Sequence, residues 1–523
     1  MGKTSFKSTD GGESWKESPF GPLGQTRAEY TVRISFDRFV KTGWIASPVI
    51  DLWRGDSDRF YVSQHRLSKL TVSVDAEVPA GTKVEYFMRK GTSPSPFSSE
   101  WEPYEIVGSG PRLSFTADEA FAARFIQVRA VLSTENPLAS PVVKGARVNA
   151  EFTDPFPYPE HRNIYVLGAD NPPIRYSSLD WEWETWNRPE FAELRSRENL
   201  DEVIAGSQTE FEAQVRLLDY ATKRWTWQPP QPGYPEWDAL SILNRISRTG
   251  GGGMCIQFNN YLGGLCMAYG WQARLANVDG HEICEVWNDE FAKWIYLDAT
   301  HYNHYLYNMR TGEPLSVLDI HRAYLDYFFP GASIDWTTFV HRDAAPAQMD
   351  SLIGRGSLTG QKVNSLLGFV NGAFVRMAPR NNWYEKPRPR PLAHGNLSWP
   401  WNGYVNWYDD RTPPKRQYSW FTDRERDMWP DLNTTRIHAT SALGNDRLYL
   451  RFETCTPNFS HFELQVNGAV WKQVGEEWTW LLRSGKNTLA ARAVNKFGVK
   501  GRPSSVSVNY TNVPFVDPMN PEK

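Results

Sequence analysis

Gly250-Gly-Gly-Gly-Met-Cys-Ile-Gln-Phe-Asn-Asn-Tyr-Leu-Gly-Gly-Leu-Cys266 joins a glycine run to Phe258, Leu262, Leu265 and Tyr269, apolar residues at helical spacing. The glycines interrupt whatever precedes them, and the period that follows predicts a helix with Cys255 at its N-terminus. A thiol placed there meets unpaired N–H groups and the positive end of the helix macrodipole. Both favour the thiolate, which is the nucleophilic form. Glycines before it let a substrate carbonyl approach the backbone, where the Cys255 amide could receive an oxyanion. A phosphate-cradling loop is another use of such a run, but the Gly-Lys-Ser/Thr of a P-loop is missing from this sequence.

Downstream, His281-Glu-Ile-Cys-Glu-Val-Trp287 and Lys293-Trp-Ile-Tyr-Leu-Asp298 read as two strands joined by a short polar turn, Asn288-Asp-Glu-Phe-Ala292. If Asn288 pairs with Lys293, the constant sum of paired positions sets Ile283 opposite Asp298 and His281 one step diagonally away. Such diagonal neighbours lie about 7 to 8 Å apart at Cα, within reach of an Asp-to-imidazole hydrogen bond. Cys255, His281 and Asp298 then form a nucleophile, a base and its orienting acid, provided the fold lays this strand face against the Cys255 helix. Glu282 and Glu285 are an odd number apart in a strand and point to opposite faces, so they do not make an acid/base pair for glycoside hydrolysis. Cys266 and Cys284 read as core residues. His301 and His304 could join His281 in a three-His site, but the Cys-His-Asp set explains His281 better. No metal and no cofactor is expected.

Upstream, Ser207 with Glu210 reads as a capping box, and Phe211, Val215 and Leu218 as one helical face. A second helix carries Ala239, Ile242, Leu243 and Ile246 and stops before the glycines. Taken in order, GGGGMC (250–255), Gly270-Trp-Gln-Ala-Arg274, GHEICEVW (280–287) and WIYLDAT (294–300) resemble the papain-related Cys-His-Asp core of the transglutaminase-like superfamily, over roughly residues 205 to 345. The resemblance implies amide hydrolysis or acyl transfer by a thiol, with Cys255 as nucleophile, His281 as base, Asp298 as orienting acid and Arg274 as a structural residue. It also implies an upstream donor to the oxyanion, for which Trp225, Trp227 and Gln228 in RWTWQ are the candidates. Glu282 departs from the family, which often has a small residue after the His. The flanking segments match neither eukaryotic transglutaminases nor papain.

Those flanks are β-rich. Residues 30–153 alternate with period two at Leu70, Val72, Val74, then Val84, Tyr86, Met88, then Ile126, Val128, Ala130, which predicts an antiparallel β-sandwich. Within it, Trp101 to Val148 resembles the galactose-binding-like, discoidin-type sandwiches attached to many polysaccharide-active enzymes, which implies a glycan-binding module or a spacer. In residues 1–29, Ser8-Thr-Asp-Gly-Gly-Glu-Ser-Trp15 resembles the Asp-box hairpin of sialidases, present once and structural. The proline-rich 154–200 read as a linker and 201–345 as the catalytic core. The Trp-, Tyr- and Pro-dense 346–425 form an extension packed on the core or lining its cleft, with Trp399, Trp401 and Trp407, together with His301, as substrate-binding candidates. Residues 426–513 alternate again, at Leu448, Leu450, Phe452, Phe462, Leu464, Val466, Leu489, Ala491, Ala493, Val506, Val508 and Tyr510, around the hairpin dipeptide Asn467-Gly468. They look like a fibronectin-III or immunoglobulin-type sandwich, followed by a tail at 514–523. The expected fold class is multidomain: an N-terminal β-sandwich, a central α+β transglutaminase-like core and a C-terminal β-sandwich.

Composition sets the outer limits. A chain of 523 residues suggests several domains, and its net charge of −3 removes the basic field on which nucleic-acid binding rests. No run approaches the roughly 18 apolar residues of a membrane span. Four cysteines are too few for a disulfide scaffold. The leading expectation is a thiol hydrolase or acyltransferase acting on a protein, peptide or glycoconjugate. The alternatives are a carbohydrate-active enzyme on the same core, with a polysaccharide as substrate, and a non-catalytic glycan-binding protein. The expected compartment is periplasmic or extracellular, although Met1 to Trp15 carry no apolar signal region.

Overall fold

The computed structural model describes residues 39–52, 66–91, 101–118, 125–153, 164–228, 236–278, 281–300, 305–308, 311–328, 374–385, 404–409, 420–441 and 446–512, with positions 6–7, 16–17, 121, 123 and 339–341. The Asp-box-like stretch Ser8 to Trp15, His301, His304, Trp399 and Trp401 lie outside the described residues. The protein is sheet-rich, with its strands in several separate sheets. No helix among the described residues is long and apolar enough to cross a membrane.

Toward the N-terminus, two antiparallel sheets share one core. One contains Val142–Thr153, Arg66–Glu77 and Arg112–Asp118; the other contains Thr42–Ala46, Phe125–Thr134, Thr82–Gly91 and Glu105–Ser109. Every second residue of a strand faces inward, so Leu70, Val72, Val74, Val84, Tyr86, Met88, Ile126, Val128 and Ala130 are all buried in the shared core. The C-terminal region repeats the plan. Leu448, Leu450 and Phe452 from one sheet meet Phe462, Leu464, Leu489, Ala491, Ala493, Val506, Val508 and Tyr510 from the other, with Val466 packed at the margin. Asn467 and Gly468 have φ of 50° and 73°, the paired left-handed residues of a type I′ turn.

The segment read as a linker is structured where its prolines stop. Ile164–Asp170 pairs antiparallel with Ser504–Tyr510 at the edge of the C-terminal sheet. An edge strand needs ladder hydrogen bonds but no buried face, and this one is mostly exposed, so it leaves no hydrophobic period to detect.

The central region begins with helices α1 (Pro189–Arg197), α2 (Leu200–Ile204), α3 (Glu210–Thr222), α4 (Ala239–Thr249) and α5 (Cys255–Met267). The cap of α3 is Thr209, whose side chain accepts from the Glu212 amide, rather than the expected Ser207. The buried face of α3 is Ala213, Gln214, Leu217, Leu218 and Ala221, so Phe211 and Val215 sit to one side of it. Six strands follow: β1 (Ala273–Val278), β2 (His281–Asn288), β3 (Lys293–Leu297), β4 (Val375–Met377), β5 (Val405–Trp407) and β6 (Trp420–Thr422). Their spatial order is β3-β2-β1-β4-β5-β6. The aromatic-rich stretch expected as an extension on the core therefore supplies three strands of the central sheet itself. Trp407 is correspondingly a core residue in β5, 7% exposed and edge-on to Trp429 at 5.3 Å, not a substrate-facing indole.

Two cores lie on the two faces of this sheet. Helices α1 to α5 cover Leu275, Cys284, Val286, Ile295 and Leu297. The other face, with Ile283, Trp287, Trp294, Tyr296 and Val405, is covered by α6 (Val317–Phe328) and by Met428 and Trp429. Helix α5 is buried all round except at Cys255, as its apolar composition requires when other helices lie on one side and the sheet on the other.

Candidate active site

The three candidate residues all sit at element ends: Cys255 opens α5, His281 opens β2, and Asp298 directly follows β3. The β2–β3 register runs from Asn288 opposite Lys293 to Cys284 opposite Leu297, the pairing that the constant sum predicts. His281 Nε2 donates to Asp298 Oδ2 at 2.8 Å, and the Cys255 side chain hydrogen-bonds to the same imidazole. With Nε2 engaged by the carboxylate, Nδ1 is the ring nitrogen left for the thiol.

The geometry differs from the expectation in one respect. Helix α5 packs on the face of Cys284, Val286, Ile295 and Leu297, whereas Ile283, Trp287, Trp294 and Tyr296, the period-two partners of His281 and Asp298, fill the opposite core. The three residues therefore meet around the strand ends, not across a sheet face. Burial works against charge on His281, but the Asp298 carboxylate and then Cys255 outweigh it, and the imidazole is pushed up from 6.5 to about 10. By contrast, burial pushes the Cys266, Cys284 and Cys455 thiols up.

A fourth residue, overlooked in the sequence, belongs to this site. Asn259, one turn after Cys255 on the same helical row, donates from Nδ2 to Asp298 Oδ1 at 3.0 Å and to the Glu282 carbonyl at 2.7 Å. Its Oδ1 accepts the Ala299 amide at 2.9 Å. The available signal was the i, i+4 spacing from the nucleophile. Glu282 itself is buried, accepts from Asn277 Nδ2 at 2.6 Å, and is pushed up to about 8 by burial, against the lowering effects of Arg376, Asn277 and His281. Glu285 turns the other way, into a buried pair with Arg274, so the two glutamates do occupy opposite faces.

The glycines before Cys255 are required by protein packing. A Cβ on Gly252 would lie 2.0 Å from the Thr226 carbonyl oxygen, and one on Gly253 would lie 2.5 Å from Trp225 Nε1. The Gln228 amide donates to the Gly253 carbonyl at 3.0 Å, so the RWTWQ segment runs against the glycine run. Of the three oxyanion candidates, Trp225 packs on Phe258 and Tyr261 of α5 and has a buried Nε1 without a hydrogen-bond partner. Trp227 is 43% exposed, and Gln228 is exposed as well. Among the described residues, no three His, Cys, Asp or Glu side chains converge as a metal site.

Comparison of the chain with family models finds no match, and comparison with curated proteins finds none. The functional reading therefore rests on the geometry and the motif order.

Proposed function

We propose that this chain is a thiol enzyme with a transglutaminase-like core, carrying out amide hydrolysis or acyl transfer on a protein, peptide or glycoconjugate. The observation that carries the reading is His281 held between the Asp298 carboxylate and the Cys255 thiol at the N-terminus of a buried helix. Cys255 attacks the carbonyl carbon, a C–S bond forms, and the carbonyl π electrons move to oxygen. The oxyanion is received by the Cys255 amide, with Trp225 Nε1 as candidate second donor. His281 gives its proton to the leaving amine as the C–N bond breaks, leaving a thioester. Water or an acceptor amine then attacks, His281 takes its proton, and the thiolate departs.

The test is limited labelling with iodoacetamide near neutral pH, followed by peptide mapping. Cys255 is expected to react at least about tenfold faster than the other three thiols, because it alone pairs a helix N-terminus with an imidazole. Cys266 and Cys284 are buried, and the Cys455 thiol donates to the Asp431 carbonyl. Equal labelling of several cysteines would remove the nucleophile assignment.

One observation favours a carbohydrate-directed version of the same chemistry. On the N-terminal sheet, Trp44 is 63% exposed, and the Arg129 guanidinium lies 4.9 Å from its ring and 3.7 Å from that of Tyr104. Arg89 continues the stack, 4.8 Å from Tyr104 and 4.6 Å from Trp101. An exposed indole beside a fixed polar group suits stacking on a sugar ring. Cys255→Ala protein screened on glycan arrays and peptide libraries is expected to retain a glycan, with the signal lost in Trp44→Ala. Retention of peptides alone would sink the carbohydrate version.

A further inference from the structure

The inference here concerns how the three residues are kept in register, and it rests on the thiol-enzyme reading above. The three candidates come from three separate segments, and one side chain touches all of them. Asn259 Nδ2 reaches the carbonyl of Cys255 at 3.1 Å, the carbonyl of Glu282, which follows His281, and Asp298 Oδ1. Its Oδ1 accepts from Ala299, which follows Asp298. The orientation of the amide is set by its surroundings, since one side faces three oxygens and the other an N–H; a flip would turn every one of these contacts into a clash of like groups.

Asn259 is 1% exposed, in a helix otherwise buried by apolar contacts. A polar group there contributes little net stability, because its hydrogen bonds mostly offset the cost of leaving water. Its specific effect falls on Asp298. With the Thr300 amide, also 3.0 Å away, Asn259 occupies Oδ1 and leaves Oδ2 to receive His281. Neither Asp, which cannot donate, nor Leu, which does neither, supplies both halves of this contact.

We infer that Asn259 is a positioning residue, one side-chain amide that aligns the Asp298 carboxylate and the His281 strand with the Cys255 helix. It acts through Asp298, so its loss and the loss of Asp298 must not add.

The test is a double-mutant cycle on the full chain, read as the rate of Cys255 alkylation against pH, with folding checked by circular dichroism and continued protection of Cys266. Asn259→Ala is expected to slow Cys255 alkylation at neutral pH by about ten- to a hundredfold, the value of a hydrogen bond to a charged group. It should also move the alkaline limb of the profile to lower pH. Asn259→Ala added to Asp298→Asn should change the rate by less than about twofold beyond Asp298→Asn alone. If the alanine variant does not fold, Asn259→Ser, which keeps a small donor, carries the same cycle. An additive loss, or a single-variant profile that overlies the wild type, would overturn the assignment of Asn259 while leaving selective Cys255 labelling intact. Unselective labelling of the wild type would overturn both readings together.

Discussion

Asp298→Asn is expected to keep the fold and to lower turnover of an activated amide or ester probe by about four orders of magnitude, the scale seen when an orienting carboxylate becomes an amide in a triad. The hydrogen-bond network explains the direction. Two fixed donors, Asn259 Nδ2 and the Thr300 amide, face Oδ1, so an amide at position 298 turns its oxygen toward them. Its NH₂ group then faces His281 Nε2 and donates to it. That locks the imidazole proton on Nδ1, the nitrogen that must accept from Cys255. The same variant tests the charge on His281. The folded-state pKa is raised from 6.5 to about 10, with burial opposing and Asp298 and Cys255 outweighing it. The linked stability is therefore complete below about pH 6.5 and is lost as pH rises through about 10. The gap in thermal midpoint between wild type and Asp298→Asn should be widest below pH 6.5 and close by pH 10, where His281 is neutral in both. Near-normal turnover in Asp298→Asn would mean that another group orients the imidazole, and a gap constant across this range would mean that His281 carries no proton there.

What could be read in advance follows from how local each signal is. A two-residue periodicity is written into the strand itself, so Leu70 through Ala130 and Leu448 through Tyr510 could be assigned to inner faces without knowing their partners. The β2–β3 register needed only a turn and a count, and it brought His281 to Asp298. Position relative to α5 was different. A register says which residues share a face, but the side from which a helix approaches depends on the whole layer, and here α5 took the face of Cys284 and Val286. The strands β4, β5 and β6 were illegible for a related reason. Each is three residues long, and each finds its neighbours across long stretches of sequence, so three residues of Val405-Asn-Trp407 show no period. Dense Trp and Tyr suggested a cleft at Trp407, but burial in the second core took precedence. Asn259 was missed because a polar residue inside an apolar helix reads as an exception until its partners are known. The i, i+4 row from Cys255 was the one clue in the sequence.

The largest expected stability effect lies away from Cys255, at Glu285. Arg274 and Glu285 have no exposed side-chain surface, and the carboxylate accepts Arg274 Nε at 3.1 Å and Nη2 at 2.7 Å through one oxygen. Its other oxygen accepts the Val317 amide at 2.7 Å, at the start of α6, and Trp429 Nε1 at 3.2 Å. The guanidinium lies 3.9 Å from the Trp294 ring and 4.7 Å from that of Trp181, and it also donates to the Met428 carbonyl. Burial lowers the Arg274 pKa, and Glu285 opposes that effect. Glu285→Ala removes the counter-charge and two further acceptor contacts together, leaving a buried cation and two buried N–H groups unsatisfied. The expected cost is about 3 to 5 kcal/mol, a large share of the stability of an ordinary domain. Glu285→Gln should cost less, because its carbonyl oxygen can still accept from Val317 and Trp429. Replacing both charges, with Arg274→Met and Glu285→Leu, should recover part of the loss, since no isolated charge remains buried. Calorimetry of the central transition measures all three. Because the pair faces the core opposite α5, Glu285→Gln should leave the pH profile of Cys255 alkylation where it is in the wild type, which separates a strand held in place from an imidazole held in tautomer. A Glu285→Ala midpoint equal to that of the wild type would show that the pair contributes nothing to holding β1 and β2 against α6.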